Sequence, residues 1–136
     1  MDPIVITIVC DGGSRRNGSG DSEGYYSFAV IHNGNVVKIV RGVCEIPGAT
    51  NNQMEYDALL NSLRYSIDLA ARAGRPVKLT VKTDSSLVVN QVNGKWKVKN
   101  EDLDIAREAV EYYASQLSGF AIEWQPRERT VAILGH

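Results

Sequence analysis

A chain of 136 residues, 43% of them hydrophobic and 23% charged, is long enough to bury one real core and about the size of one domain, so a single domain over residues 1–136 is expected. The formal net charge of −1 excludes a globally basic surface, and any nucleic-acid partner must be held by local basic groups or by cations bridging phosphate to carboxylate. Met-Asp-Pro lacks the basic-then-apolar pattern of a leader and no apolar run approaches a membrane span, which points to a soluble, cytoplasmic protein.

In chain order, residues 4–10 form a nearly unbroken apolar, β-branched run suited to a central strand buried on both faces and ended by Asp11. Gly12, Gly13, Gly18 and Gly20 mark a loop. Residues 25–31 read as a second strand, Asn33-Gly34 carries a hairpin signal, and residues 36–44 read as the return strand, completing an antiparallel meander. Pro47 and Gly48 break the chain. Over residues 52–73, Met54, Ala58, Leu59, Leu63, Ile67 and Ala70 recur at helical spacing until Gly74 and Pro76 stop the longest helix.

Residues 77–83 form the fourth strand, and a right-handed crossover through a helix of that length places it parallel to an earlier one. Asp84 or Ser85 can cap a short helix over residues 86–92, which Asn93-Gly94 interrupts. A lysine-rich loop (Lys95, Lys97, Lys99), an amphipathic helix over residues 100–117 and a fifth strand over residues 120–124 follow, and from Gln125 the chain reads as a loop and a short tail. The order βββαβααβ predicts an α/β fold with a mixed five-stranded sheet flanked by helices. Cys10 and Cys44 close different strands and share no metal-ligand spacing. With a strand between theirs they lie roughly 9 to 10 Å apart, beyond disulfide reach, so both are expected as thiols.

Three acids stand at element boundaries: Asp11 in Val-Cys-Asp-Gly-Gly-Ser, Glu55 in the first turn of the long helix, and Asp84 in Val-Lys-Thr-Asp-Ser-Ser. Singly they read as a turn residue, a complement to the helix dipole and a cap. If the first and fourth strands are parallel neighbours, their ends lie roughly 4.8 Å apart, and a helix crossing that edge adds the third carboxylate. Together they describe a divalent-cation site.

Taken jointly, the motifs resemble type 1 ribonuclease H, from Ile4 to about Glu128. The resemblance rests on Asp11-Gly12-Gly13-Ser14, the glycine-rich loop with Asn17, the Asn33-Gly34 hairpin, Thr50-Asn51-Asn52-Gln53-Met54-Glu55, Thr83-Asp84-Ser85-Ser86 and Trp124-Gln125-Pro126-Arg127-Glu128, in that order. It implies a ribonuclease-H-like fold and a monomeric endoribonuclease that hydrolyses the RNA strand of RNA/DNA hybrids. Catalysis would use two Mg²⁺ (or Mn²⁺) ions, with Asp11 bridging and Glu55 and Asp84 as the other ligands. Asn17, Thr50, Asn51 and Asn52 would meet the hybrid sugars, and Arg15, Arg16, Lys95, Lys97 and Lys99 its phosphates. Trp96 would pack beside deoxyribose or pin its loop to the body.

Two departures stand out. No basic, tryptophan-rich protrusion is inserted after the second helix. The family's fourth acid is also missing: counting from Pro126-Arg127-Glu128 puts Leu134 there, aligning on Ala132 puts Ile133 there, and Glu128 or His136 are the other candidates. The tail over residues 129–136 reads as lacking the family's closing helix. The alternative function is therefore a catalytically impaired module that binds hybrid or double-stranded RNA.

Overall fold

The computed structural model describes residues 1–15, 22–44 and 47–136. Ile4–Arg15 (β1), Glu23–His32 (β2) and Asn35–Cys44 (β3) form the meander, with Asn33 at φ 52° and Gly34 at φ 79°. Two consecutive positive φ values are what a tight hairpin turn demands, and an Asn-Gly pair adopts them cheaply. Thr50 then opens Asn51–Ala73 (α1) with a capping box, its hydroxyl accepting from Gln53 N at 3.2 Å while Gln53 Oε1 accepts from Thr50 N at 2.9 Å. Gly74, in the left-handed region, closes the helix.

Val77–Thr83 (β4) returns parallel to β1, as the crossover rule predicts. Ser86–Val92 (α2) is capped by Ser85 rather than by Asp84, which leaves the Asp84 carboxylate available. Glu101–Ala114 (α3) is capped by Asn100 and ends before the predicted residue 117. Gly119–Trp124 (β5) pairs parallel with β4, so the sheet of the described residues runs β3-β2-β1-β4-β5. The free thiols of Cys10 and Cys44 lie on β1 and β3, with β2 between them.

Alternation along β1 sends Ile6, Ile8 and Cys10 to the face covered by α1 and α3, where they meet Tyr56, Ala58, Leu59, Leu63, Leu103 and Val110. Fully burying such aliphatic side chains stabilises the fold by about 1.5–3 kcal/mol each. Val9 points to the opposite face and packs with Ala29 and Leu134. Among the described residues, no helix is long and apolar enough to cross a membrane.

Two predicted boundaries are corrected. β1 does not stop at Asp11: it continues to Arg15 because β2 keeps pairing with it as far as Arg15↔Glu23. Gly12 and Gly13 are therefore strand residues, and their small size answers to neighbours rather than to a turn. The tail is not a loop either, since Arg127–Leu134 forms a helix (α4) closed by Gly135 at φ 84°. Its apolar period is weak, and tertiary contacts hold it: Thr130 and Leu134 are buried, and Gln125 Nε2 donates to Thr130 Oγ1 at 3.1 Å.

A Cβ at Gly12 would lie 2.0 Å from the carbonyl oxygen of Met54 and 2.8 Å from Glu55 N, so only glycine lets β1 touch the first turn of α1. Because the obstacle is helix backbone, Gly12→Ala must displace α1, and we expect a loss of about 1–3 kcal/mol or more, read as a lower urea midpoint at unchanged slope.

Candidate active site

The site forms where β1 and β4 part. Their parallel ladder ends at Val9↔Lys82; beyond it β1 continues with β2 alone, while the chain after β4 turns away into α2. Asp11 projects from the continuing strand, on the face opposite to Cys10. Asp84 is the first residue after β4, and its backbone carbonyl accepts from Trp124 Nε1 at 3.2 Å. Glu55 comes from the other face, through the gap beside Gly12. One oxygen from each of the three carboxylates lies within 4.8 Å of the others, which brings together the three acids singled out in the sequence.

Asp11 is 1% exposed, and burial, reinforced by repulsion from Asp84, raises its pKa although Arg127 and His136 pull the other way. Glu55 is pushed up to about 9 by burial first and then by Asp11 and Asp84, against a backbone hydrogen bond from Gly12 and the attraction of Arg127. The compensating charge is Arg127, which the sequence reading did not select. Its Nη1 lies 2.9 Å from Asp11 Oδ1 and 2.9 Å from Asp84 Oδ2, and these contacts raise its own pKa. The sequence signal was the Pro126-Arg127-Glu128 stretch, but only α4 turns that arginine back toward the acids.

These residues fit a hard divalent cation. All three donors are oxygens, Asp11 Oδ2 and Glu55 Oε2 are buried without a hydrogen-bond partner, and a cationic nitrogen already bridges Asp11 to Asp84. Of the four candidate fourth-site residues, Leu134 is 1% exposed in the cluster with Val9 and Ala29, with Ile133 packed beside it. Leu134 thus stands in the core and not at the metal edge. Glu128 is exposed, on the first turn of α4. His136 alone reaches the acids, its Nδ1 lying 3.1 Å from Asp11 Oδ2.

Of the predicted substrate contacts, Thr50, Asn51 and Asn52 begin α1, about one turn before Glu55. Thr50 rather than either asparagine is the cap, and Asn51 Oδ1 accepts from Ser14 N at 2.7 Å, tying the end of β1 to the start of α1. Arg15, Lys95, Lys97 and Lys99 are exposed, as is half of Trp96. The backbone amides of Lys95 and Trp96 both donate to the Asn90 carbonyl, a tight turn that fixes the start of their loop. Arg16 and Asn17 lie outside the described residues.

Comparison with known structures defines the class, a ribonuclease-H-fold domain. Ribonuclease H1 of Halobacterium salinarum superposes with a TM-score of 0.81 at 26% identity, covering 96% of this chain and 92% of that one. LC11-RNase H1, solved in complex with an RNA/DNA hybrid, gives 0.80 at 25% identity, covering 96% and 91%. A family model described as reverse transcriptase-like matches residues 11–133. The chain belongs to that family, as a type 1 ribonuclease H domain. It is 33% identical over 126 residues to a bifunctional protein of Mycobacterium tuberculosis, covering 93% of this chain and 32% of that protein, so it spans about a third of that relative.

The raised Glu55 pKa has a signed consequence. A carboxyl that holds its proton more tightly folded than unfolded makes stability fall as pH rises, here from about 4.5 toward about 9. In chelator, therefore, this group should make the protein melt at a lower temperature at pH 8 than at pH 5, and Glu55→Gln should flatten that difference. An unchanged pH slope in the variant would show that Glu55 ionises normally.

Proposed function

We propose that this protein is a metal-dependent endoribonuclease that hydrolyses the RNA strand of RNA/DNA hybrids. The convergence of Asp11, Glu55 and Asp84 within 4.8 Å carries the reading. Support comes from relatives named ribonuclease H in Caldicellulosiruptor saccharolyticus and ribonuclease HI in Halobacterium salinarum, and from the hybrid-bound LC11 structure.

Asp11, Glu55 and Asp84 would hold two Mg²⁺ or Mn²⁺ ions, which when bound supply activation of water and neutralisation of charge on the attacking and leaving oxygens. Asp11 is the residue suited to be shared, because its Oδ1 meets the Arg127 nitrogen that also holds Asp84, whereas its Oδ2 lies beside His136. Arg127 neutralises Asp11 and Asp84 until they are ligated. Gly12 N–H orients the Glu55 carboxylate.

Strand choice falls to the start of α1. The Asn51 and Asn52 amides and the Thr50 hydroxyl can both donate and accept, as recognition of a 2′-hydroxyl requires, and Asn17 belongs to the same role. Arg15, Arg16, Lys95, Lys97 and Lys99 would meet phosphates, and the half-exposed Trp96 offers a flat face to a sugar. One chain supplies all three acids, so a monomer suffices. The free thiols fit a reducing cytoplasm.

The lack of a fourth carboxylate beside these acids among the described residues favours one second reading, a module that binds hybrid or double-stranded RNA and cuts it poorly. Incubating end-labelled hybrid with protein and Mn²⁺ or Mg²⁺ decides between them. We expect shortened RNA, an intact all-DNA duplex, and a loss of at least about a hundredfold in Asp84→Asn at unchanged circular dichroism. A hybrid retarded on a gel but never shortened selects the binding module, and equal cutting of all-DNA duplex rejects hybrid selectivity.

A further inference from the structure

We propose that His136 is a fourth metal ligand, presenting imidazole Nδ1 beside Asp11 and biasing the second cation position toward Mn²⁺ over Mg²⁺. The inference rests on the metal-dependent reading above and concerns the residue that stands where a carboxylate is absent.

The end of α4 is built to deliver this side chain. Leu134 is locked against Val9 and Ala29, its carbonyl accepts from Arg41 Nη2 at 2.8 Å, and Gly135 turns the chain through the left-handed region. The imidazole then lies over the β1–β2 ladder. Its Nε2 is 2.8 Å from Ser27 Oγ, Ser27 is the residue directly across from Asp11, and the Tyr25 ring meets it edge-on at 6.0 Å.

Held in this way, Nδ1 stops 3.1 Å from Asp11 Oδ2, yet both atoms are buried and neither makes a hydrogen bond. The distance suits an ion pair and the angles do not. When Nε2–H donates to Ser27 Oγ, Nδ1 carries a lone pair beside an unpaired carboxylate oxygen, and a cation touching both would satisfy the two buried acceptors. Ligating histidines characteristically donate their other N–H to a neighbouring acceptor, the part Ser27 plays. His136 does not join the tight group of Asp11, Glu55 and Asp84, so it serves a second position that shares only Asp11. Mg²⁺ is a hard ion that takes oxygen ligands, whereas imidazole suits transition ions.

The chain has two histidines, and His32 is exposed beside the hairpin turn, so a metal-bound nitrogen can be assigned without disturbing the site. Untagged protein saturated with Mn²⁺ should show, by pulsed electron paramagnetic resonance, the coupling of a directly coordinated ¹⁴N, retained in His32→Gln and lost in His136→Ala. Calorimetry should show the weaker Mn²⁺ site losing at least roughly tenfold in affinity in His136→Ala, and His136→Asp should shift preference back toward Mg²⁺. If His136→Ala does not fold, the parent and His32→Gln spectra still assign the nitrogen. Saturated parent without nitrogen coupling that still cuts hybrid overturns this inference alone and leaves His136 as a charge partner of Asp11. Coupling without cleavage upholds it and overturns the nuclease reading, and failure of Mn²⁺ to bind overturns both.

Discussion

Mutual repulsion among three carboxylates, gathered where burial strips away water, is the constraint around which this site is arranged. Two ionised groups 4.8 Å apart repel by roughly 3 kcal/mol at an effective dielectric of about 20, and Asp11 is almost fully enclosed. The protein answers without a metal in three ways: Arg127 bridges Asp11 to Asp84, Glu55 keeps its proton, and a Gly12 amide turns toward Glu55. Each is a partial substitute for positive charge. A fold that holds its acids in this state has already met the cost of gathering them, so cation binding relieves an existing conflict instead of creating a site.

Topology makes the gathering possible. Were β1 and β4 paired along their whole length, the sheet would separate Glu55, which approaches from the face of α1, from Asp11 on the face of α4. The ladder stops at Val9↔Lys82, and the missing side chain at Gly12 lets α1 backbone settle into the opening. Rigidity comes from below, where Ile6, Ile8, Leu79 and Val81 are buried against α1. A site assembled on strands and on a capped helix start keeps its geometry better than one carried on loops.

The tail shows how tertiary context changes the meaning of a position. By gapless counting Leu134 takes the place of an acid, yet its side chain completes the small cluster with Val9 and Ala29, where a carboxylate would be stranded in apolar surroundings. Anchoring Leu134 fixes the left-handed turn at Gly135 and with it the reach of His136. Nothing in the apolar spacing of residues 127–134 announces a helix, because such a short one gains its stability from burial of Thr130 and Leu134.

The sequence by itself determined the element order, the parallel return of the fourth strand, the Asn-Gly hairpin and the three acids, because these depend on local periodicity, turn chemistry and the right-handed crossover, all legible within short windows. Only the tertiary structure decided that β1 runs on past Asp11, that the tail is a helix, that Arg127 neutralises the acids, and that His136 rather than Leu134, Ile133 or Glu128 stands beside Asp11. The strand extension turns on cross-strand pairing with β2, and the tail outcomes on contacts between residues more than a hundred positions apart, such as Arg127 with Asp11 and His136 with Ser27. No local rule encodes a contact of that range; it exists only after the sheet has brought the chain's two ends together.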